Sequence, residues 1–449
     1  MSDKLFGTDG IRGIANAYPL TIDFCSRLAA ALSQTVCTKR QRAAIARDTR
    51  ISGDMLFNAL SAGFTSQGID VVDLGIIPTP LCTTATAGLG VDMSIMITAS
   101  HNPYRDNGLK LITASGDKFS DVQSRKVEEL LAQDIAPSCN PEKIGRVIKN
   151  ESVVPAYLQT LHKIAPAGAL RGMKIVIDSA NGAFSAIMPQ VYRSLGAEII
   201  SLADQPNGTN INQDCGSQHT EKLCQTVTES HSQLGIAVDG DGDRIIVCDE
   251  KGSRLNGDQI IAYLATYFKQ HNMLKNNAAV ATIYSNLGLG RYLKSIGINY
   301  YTSAVGERYV IEKMRETGAN IGGEESGHMV LSDYSLTGDA LLASLVICLG
   351  VKESGKKMSE IFPVFEPYPT AANNLRFASK DEVAALMEKA EFKACLEEAK
   401  AALENHGSLI VRKSGTEPVM RLKIEDESPE LVAQISEKML NCIKKLSQN

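Results

Sequence analysis

The stretch Asp239-Gly240-Asp241-Gly242-Asp243-Arg244 sets three carboxylates at alternate positions of a glycine-rich loop behind an apolar run. Like charges held a few ångströms apart raise one another's pKa, so three on one loop ask for a cation. All-oxygen donors suit a hard divalent ion, Mg²⁺ or Ca²⁺. An EF-hand is excluded. Its twelfth position must be a bidentate Glu leading into a helix, whereas Glu250 falls in what reads as a hairpin after Val247. A solvated acidic turn is the plain alternative.

A second candidate is Thr98-Ala99-Ser100-His101-Asn102-Pro103, which places Ser100 in a tight turn at the mouth of the strand Ser94–Ile97. Pro103 disfavours a helix through Asn102. Ser100 is then either a nucleophile or a local backbone cap in an Asn-Pro turn. The Gly-x-Ser-x-Gly elbow of a hydrolase is absent. In Gly322-Gly323-Glu324-Glu325-Ser326-Gly327-His328, donors and acceptors on a flexible backbone suit the hydroxyls of a sugar. Arg412-Lys413-Ser414-Gly415-Thr416-Glu417-Pro418 joins two strands. Its backbone amides and the hydroxyls of Ser414 and Thr416, with Arg412 and Arg421, would form a nest for a phosphate dianion. A β-turn accounts for the Ser-Gly pair but not for the arginines. Nucleophile, metal loop, hydroxyl loop and phosphate clamp together are what an enzyme needs to hold a sugar phosphate at one end and react at the other.

The elements that must carry these residues read as α/β. Short Val- and Ile-rich runs alternate with segments of helical spacing. Strands are expected at Ala43–Ala46, Asp70–Leu74, Met93–Thr98, Lys174–Asp178, Gly235–Val238 and Ala278–Tyr284. Ligands of open α/β sheets bind beyond the carboxyl ends of strands, where several of the polar clusters lie. A chain of 449 residues implies three or four domains. Pro and Gly cluster near 150, 252–257 and 363–369, which gives units 1–150, 151–252, 253–368 and 369–449. The last unit reads as a small α+β domain with one long helix running to about Asn405, then a strand at Ser408–Arg412, a turn, a strand and a helix.

Hydrophobic residues at 44% and charged ones at 22% argue against global disorder. A net charge of -5 makes nucleic acid an unlikely partner class by electrostatics. Ten cysteines without a Cys-x-x-Cys pair read as reduced thiols. The apolar run Ala340–Leu349 is too short to span a bilayer, and no secretory pattern opens the chain, so a cytoplasmic enzyme is expected.

The four motifs, in this order, resemble the α-D-phosphohexomutase superfamily over essentially the whole chain. The start Leu5-Phe6-Gly7-Thr8-Asp9-Gly10-Ile11-Arg12-Gly13 resembles that of a subfamily acting on glucosamine phosphates, and Asp48-Thr49-Arg50, Asp178–Gly182 and Pro206-Asn207-Gly208 agree with it. The resemblance implies three similar α/β mixed-sheet domains and a smaller α+β C-terminal domain around a central cleft. It implies a phosphoserine at Ser100 and one Mg²⁺ held by Asp239, Asp241, Asp243 and that phosphate. Lys110 and Arg12 are the implied groups for proton transfer and charge stabilisation, with His101 and His328 as alternatives. Arg244, Glu307, Arg308, Glu324, Ser326 and His328 are implied to read the sugar. For Lys110, a surface lysine on a strand edge is the bland alternative. The implied reaction interconverts glucosamine 6-phosphate and glucosamine 1-phosphate through a bound 1,6-bisphosphate, on the route to UDP-N-acetylglucosamine and cell-wall precursors, in a monomer or homodimer. The family usually has Gln or Asn where Glu325 stands, and many members have Asp at Glu307; a carboxylate at 325 would pair with a substrate ammonium. Glucose or mannose 6-phosphate as substrate, a Mg²⁺-dependent phosphatase and a sugar phosphate sensor without turnover are the competing readings.

Overall fold

The computed structural model describes residues 5–7, 9–133, 135, 141–404, 406–413 and 418–447. Four sheets follow one another along the chain. The first has six strands in the spatial order Ile11–Ile14, Asp106–Thr113, Met93–Ile97, Arg42–Arg47, Asp70–Ile76 and Val147–Lys149. Its first two pairings are antiparallel and the rest parallel. The second runs Arg254–Leu255, Ile245–Asp249, Leu234–Val238, Lys174–Asp178, Glu198–Leu202, and the third runs Asn299–Ser303, Ala278–Thr282, Ile321–Gly323, Met329–Leu331. Both are also mixed. The fourth is an antiparallel sheet of three strands, Thr370–Arg376, Val419–Glu425 and Ser408–Lys413. The chain is therefore an α/β protein.

Side-chain alternation on the strands distributes the core. In the first sheet Ala43, Ile45, Met93, Ile95, Leu109 and Leu111 face the helices Ile22–Thr35 and Gly53–Ser66. Ala44, Ala46, Met96 and Ile112 face the other way, into an apolar cluster that continues through the second and third sheets. The helix Ala340–Ser354 lies inside that cluster and is buried on nearly all sides as far as Val351, so the long apolar run of the sequence is a core helix. It starts at Asp339, whose carboxylate caps Leu342 N at 3.0 Å and accepts from the Tyr157 hydroxyl at 2.8 Å. No helix among the described residues is long and apolar enough to cross a membrane.

Three details depart from expectation. The strand at Ala278 ends at Thr282 rather than Tyr284, because Ser285 N bonds back to the Thr282 carbonyl at 3.0 Å and closes a turn. Arg254–Leu255 pairs with Ile245–Asp249, so the second sheet extends past residue 252. The single long C-terminal helix is two, Lys380–Glu388 and Ala390–Ala402, broken where Lys389 leaves helical geometry at ψ 135°. No Gly or Pro marks that break; Val383, Leu386, Phe392 and Ala399 all reach one small core, and a straight helix cannot point all four at it.

Candidate functional site

Ser100 ends the strand Met93–Ile97 in the left-handed region, φ 53°, which few residues other than glycine adopt. The turn is held by its backbone. Thr98 Oγ1 accepts from Ser100 N at 2.9 Å, and Arg50 donates to the carbonyls of Ser100 at 3.0 Å, Asn102 at 2.8 Å and Asp106 at 2.9 Å. Arg50 is fixed by Asp48 at 2.9 Å, both side chains being wholly buried. The local-cap role considered for Ser100 thus belongs to Thr98. The Ser100 hydroxyl instead donates to Asp239 Oδ2 at 2.6 Å, across 139 residues of sequence, and the residue is 1% exposed.

Asp239 to Asp243 turn between Leu234–Val238 and Ile245–Asp249. Two glycines let this loop fit. A Cβ on Gly240 would stand 2.8 Å from the Ser100 carbonyl, and one on Gly242, at φ 75°, would stand 2.3 Å from the Phe184 ring. One oxygen from each of Asp239, Asp241 and Asp243 can be chosen so that all lie within 4.8 Å of one another. Burial raises the Asp239 carboxyl well above its ordinary range, and Asp243 and Asp241 push it further. Burial also raises Asp243, but Lys110, His328 and Arg244 more than cancel this and hold it well below. Oδ1 of Asp241 and of Asp243 are buried without a hydrogen-bond partner among the described residues. Three hard carboxylates, two of them with an orphaned oxygen, fit a divalent ion. Glu250 lies outside this loop and accepts from Ser359 Oγ at 2.6 Å, as expected for a non-EF-hand turn.

Lys110 is not a surface lysine. Its strand is interior to the sheet, and register places it on the face turned toward the second domain. It is 2% exposed, with Nζ 2.6 Å from Asp241 and 2.8 Å from Asp243. Burial disfavours the ammonium, but Asp241, Asp243 and Asp9 raise it well above a normal lysine, so it is charged. Arg12 pairs with Asp9 at 2.6 Å, and Asp9 also binds Lys118. His101 is 3.4 Å from the Ser100 hydroxyl and accepts from Arg244 Nη1 at 2.9 Å. Burial and then Arg244 push it down to about 3, which leaves the imidazole neutral.

His328 and Arg244 form a β-bridge that stitches the sugar-loop candidate to the acidic loop. His328 Nε2 lies 2.9 Å from Glu307. Burial lowers it, but Glu307 and Asp243 raise it to about 10. Glu307 is buried and also takes Lys118, Thr337 Oγ1 and Gly338 N, and it stands with Lys110, Lys118 and Arg308 in the lining of a cavity. Asp243, Glu307 and His328 also bring ligand atoms within 4.8 Å of one another, with His328 and Glu307 already paired to each other. Arg308 binds Glu312 at 3.1 Å and Asp121 at 3.5 Å. Glu324 accepts from Gly306 N at 2.9 Å, Ser326 is exposed, and Glu325 lies 3.5 Å from Lys423.

Arg412 and Arg421 are direct partners on neighbouring strands. Each has a buried Nε with no hydrogen-bond partner among the described residues. Arg412 lies 4.7 Å over the Tyr284 ring, and Lys423 donates to the Tyr284 carbonyl. Two facing cations with no ion pair among the described residues suit an anion. Ser414, Gly415 and Thr416 lie outside the described residues. The structure thus gathers Ser100, His101, Lys110, Arg12, the three aspartates, Arg244, Glu307 and His328, and sets the arginine pair apart on the C-terminal sheet. Sequence reasoning gave no role to Thr79, which donates to Asp241, or to Lys118 and Asn212, and it noted Arg50 only as part of a motif.

The phosphoglucomutase/phosphomannomutase family matches in four successive pieces: its alpha/beta/alpha domain I over residues 3–137, domain II over 155–252, domain III over 256–368 and its C-terminal domain over 373–441. A phosphoglucosamine mutase from Rhizobium meliloti is 42% identical over 447 residues, 99% of this chain and 98% of that protein. A phosphoglucomutase/phosphomannomutase family protein from Burkholderia thailandensis superposes with a TM-score of 0.82 at 23% identity, over 99% of this chain and 98% of that one. N-acetylphosphoglucosamine mutase from Aspergillus fumigatus, solved with GlcNAc-6P and magnesium, gives 0.66 at 15% identity over 99% and 96%. The last two show a shared fold. With all four domains matched in order and a relative this similar along its whole length, the chain belongs to the phosphoglucomutase/phosphomannomutase family of α-D-phosphohexomutases.

Proposed function

We propose that this chain interconverts glucosamine 6-phosphate and glucosamine 1-phosphate through a phosphorylated Ser100, as a cytoplasmic enzyme of amino sugar synthesis leading to UDP-N-acetylglucosamine. The carrying observation is the 2.6 Å bond between the Ser100 hydroxyl and the three-aspartate loop. The sugar assignment is supported by relatives named for phosphoglucosamine. Asp239, Asp241 and Asp243 would hold Mg²⁺. When bound, that ion supplies positive charge to offset the phosphoserine, which adds about -1.5 to -2.

In the forward direction the bond between phosphorus and Ser100 Oγ breaks and one forms to the sugar O1, a proton lost from O1 being balanced by one gained at Ser100 Oγ. His101 is neutral, its Nδ1 accepts from Arg244 and its surroundings resist protonation, so it serves as a hydrogen-bonding group, whereas Lys110 and His328 are cations and act by charge. The 1,6-bisphosphate then turns end over end, and its 6-phosphoryl group returns to Ser100 as the bond from phosphorus to O6 breaks, Oγ giving up a proton and O6 taking one. Arg412 and Arg421 would hold whichever phosphate is not reacting. The burial of Ser100 keeps water from the phosphoryl group, which favours a mutase over a phosphatase.

The test supplies glucosamine, glucose and mannose 6-phosphates with Mg²⁺ and follows sugar 1-phosphate against inorganic phosphate. The highest kcat/KM is expected with glucosamine 6-phosphate; phosphate release would make the chain a phosphatase, and no product a sensor. Arg421→Ala is expected to raise KM for the sugar phosphate roughly tenfold or more through loss of a charge-assisted contact, with the change read from initial rates. An unchanged KM would remove the clamp from the scheme.

A further inference from the structure

The carbonyls of Ser100 and Asn102 each accept two side-chain hydrogen bonds, and the two donors come from different sheets. Arg50 follows the strand Arg42–Arg47 of the serine's own sheet and reaches them at 3.0 and 2.8 Å. Asn212 reaches the same two oxygens with Nδ2 at 2.8 and 3.0 Å. Asn212 lies between Glu198–Leu202 and Leu234–Val238 of the second sheet, and its N–H donates to the Ala180 carbonyl at 2.9 Å. It is buried, with φ 56°, a backbone region that Asn tolerates better than most residues. A Cβ on Gly240 would stand 2.8 Å from both Asn212 Nδ2 and the Ser100 carbonyl, so the acidic loop, the serine turn and this amide are in mutual contact.

We propose that Asn212 is a positioning residue for phosphoryl transfer: it ties the backbone of the serine turn to the domain that carries the acidic loop. The proposal rests on the reading of Ser100 as the phosphoryl carrier. Arg50 shapes the turn from within its own sheet and stays with it, whereas Asn212 fixes where the turn stands relative to Asp239. The tie matters most once Ser100 is phosphorylated. Its Oγ then has no proton to give Asp239, so that direct bond is lost, while both carbonyls held by Asn212 remain.

Asn212→Asp keeps size and left-handed tolerance but sets carboxylate oxygens against two carbonyl oxygens. Asn212→Gly removes the donor and any backbone strain. Misplacement by about an ångström costs on the order of a hundredfold, so kcat in Asn212→Asp is expected to fall by about that factor, and in Asn212→Gly by a smaller one. KM for glucosamine 6-phosphate is expected to stay within about twofold, because Asn212 acts through Ser100 and not on the sugar. Ser100→Ala is assayed in parallel. If Ser100→Ala kept transfer, the carrier reading and this inference would fall together. If Ser100→Ala were inactive while either folded Asn212 variant kept wild-type kcat, with only a lower melting temperature, the inference alone would fall. A rise in KM at unchanged kcat would also overturn it, since that marks a substrate contact.

Discussion

Ser100→Ala is expected to abolish phosphoryl transfer, a loss on the order of 10⁶-fold as for removal of other enzyme nucleophiles, while the chain still folds. The fold should survive because the turn does not depend on the hydroxyl. Arg50, Asn212 and Thr98 hold it through the backbone of residues 100 and 102. What is lost is one hydrogen bond, to Asp239, worth about 1 kcal/mol. Intact-mass measurement of wild-type enzyme exposed to a sugar bisphosphate should show an added phosphate that the variant lacks. Isomerisation by the variant at a few per cent of the wild-type rate would sink the phosphoserine scheme.

The second large effect is on stability. Lys110→Met, assayed with a chelator present, is expected to cost about 3–5 kcal/mol, the range for breaking a buried ion pair by removing one partner. Met keeps most of the apolar stem but leaves Asp241 and Asp243 buried together, with Asp239 already pushed toward its protonated form beside them. Added Mg²⁺ should recover part of the loss, because an ion bound by the folded state alone stabilises it by mass action. The measurement is urea unfolding of both proteins, with chelator and with Mg²⁺. A difference below about 1 kcal/mol in chelator would mean that the acidic loop does not need this cation.

Much of this site could be read from the sequence because its chemistry is dense and local. Three aspartates with two glycines, and a serine before Asn-Pro, sit in short turns at strand mouths, where composition and position carry the meaning. Lys110 is the opposite case. Its importance lies in strand register and in which face of an interior strand meets the second domain, and neither is written in its neighbours. Glu307 entered as a sugar contact through the resemblance alone; that Lys118 and His328, distant in sequence, converge on it is not written in its neighbours. Asn212 has no local signature, since its role arises only where two sheets meet. The break at Lys389 was hidden for a related reason: local propensity favours one helix, and the shape of a small core overrides it.

The apolar cluster that joins the first three sheets, with Ala340–Ser354 inside it, also governs how the molecule comes apart. Groups that share one core lose order in one cooperative step, so the serine turn and the acidic loop persist or melt together. The C-terminal sheet has a separate core, and it meets the third domain through polar ties such as Asn286 to Glu425 and Lys423 to Tyr284, which water can replace. Partial unfolding is therefore expected to release the arginine pair first, and to leave a folded remnant that still carries Ser100 and the acidic loop together.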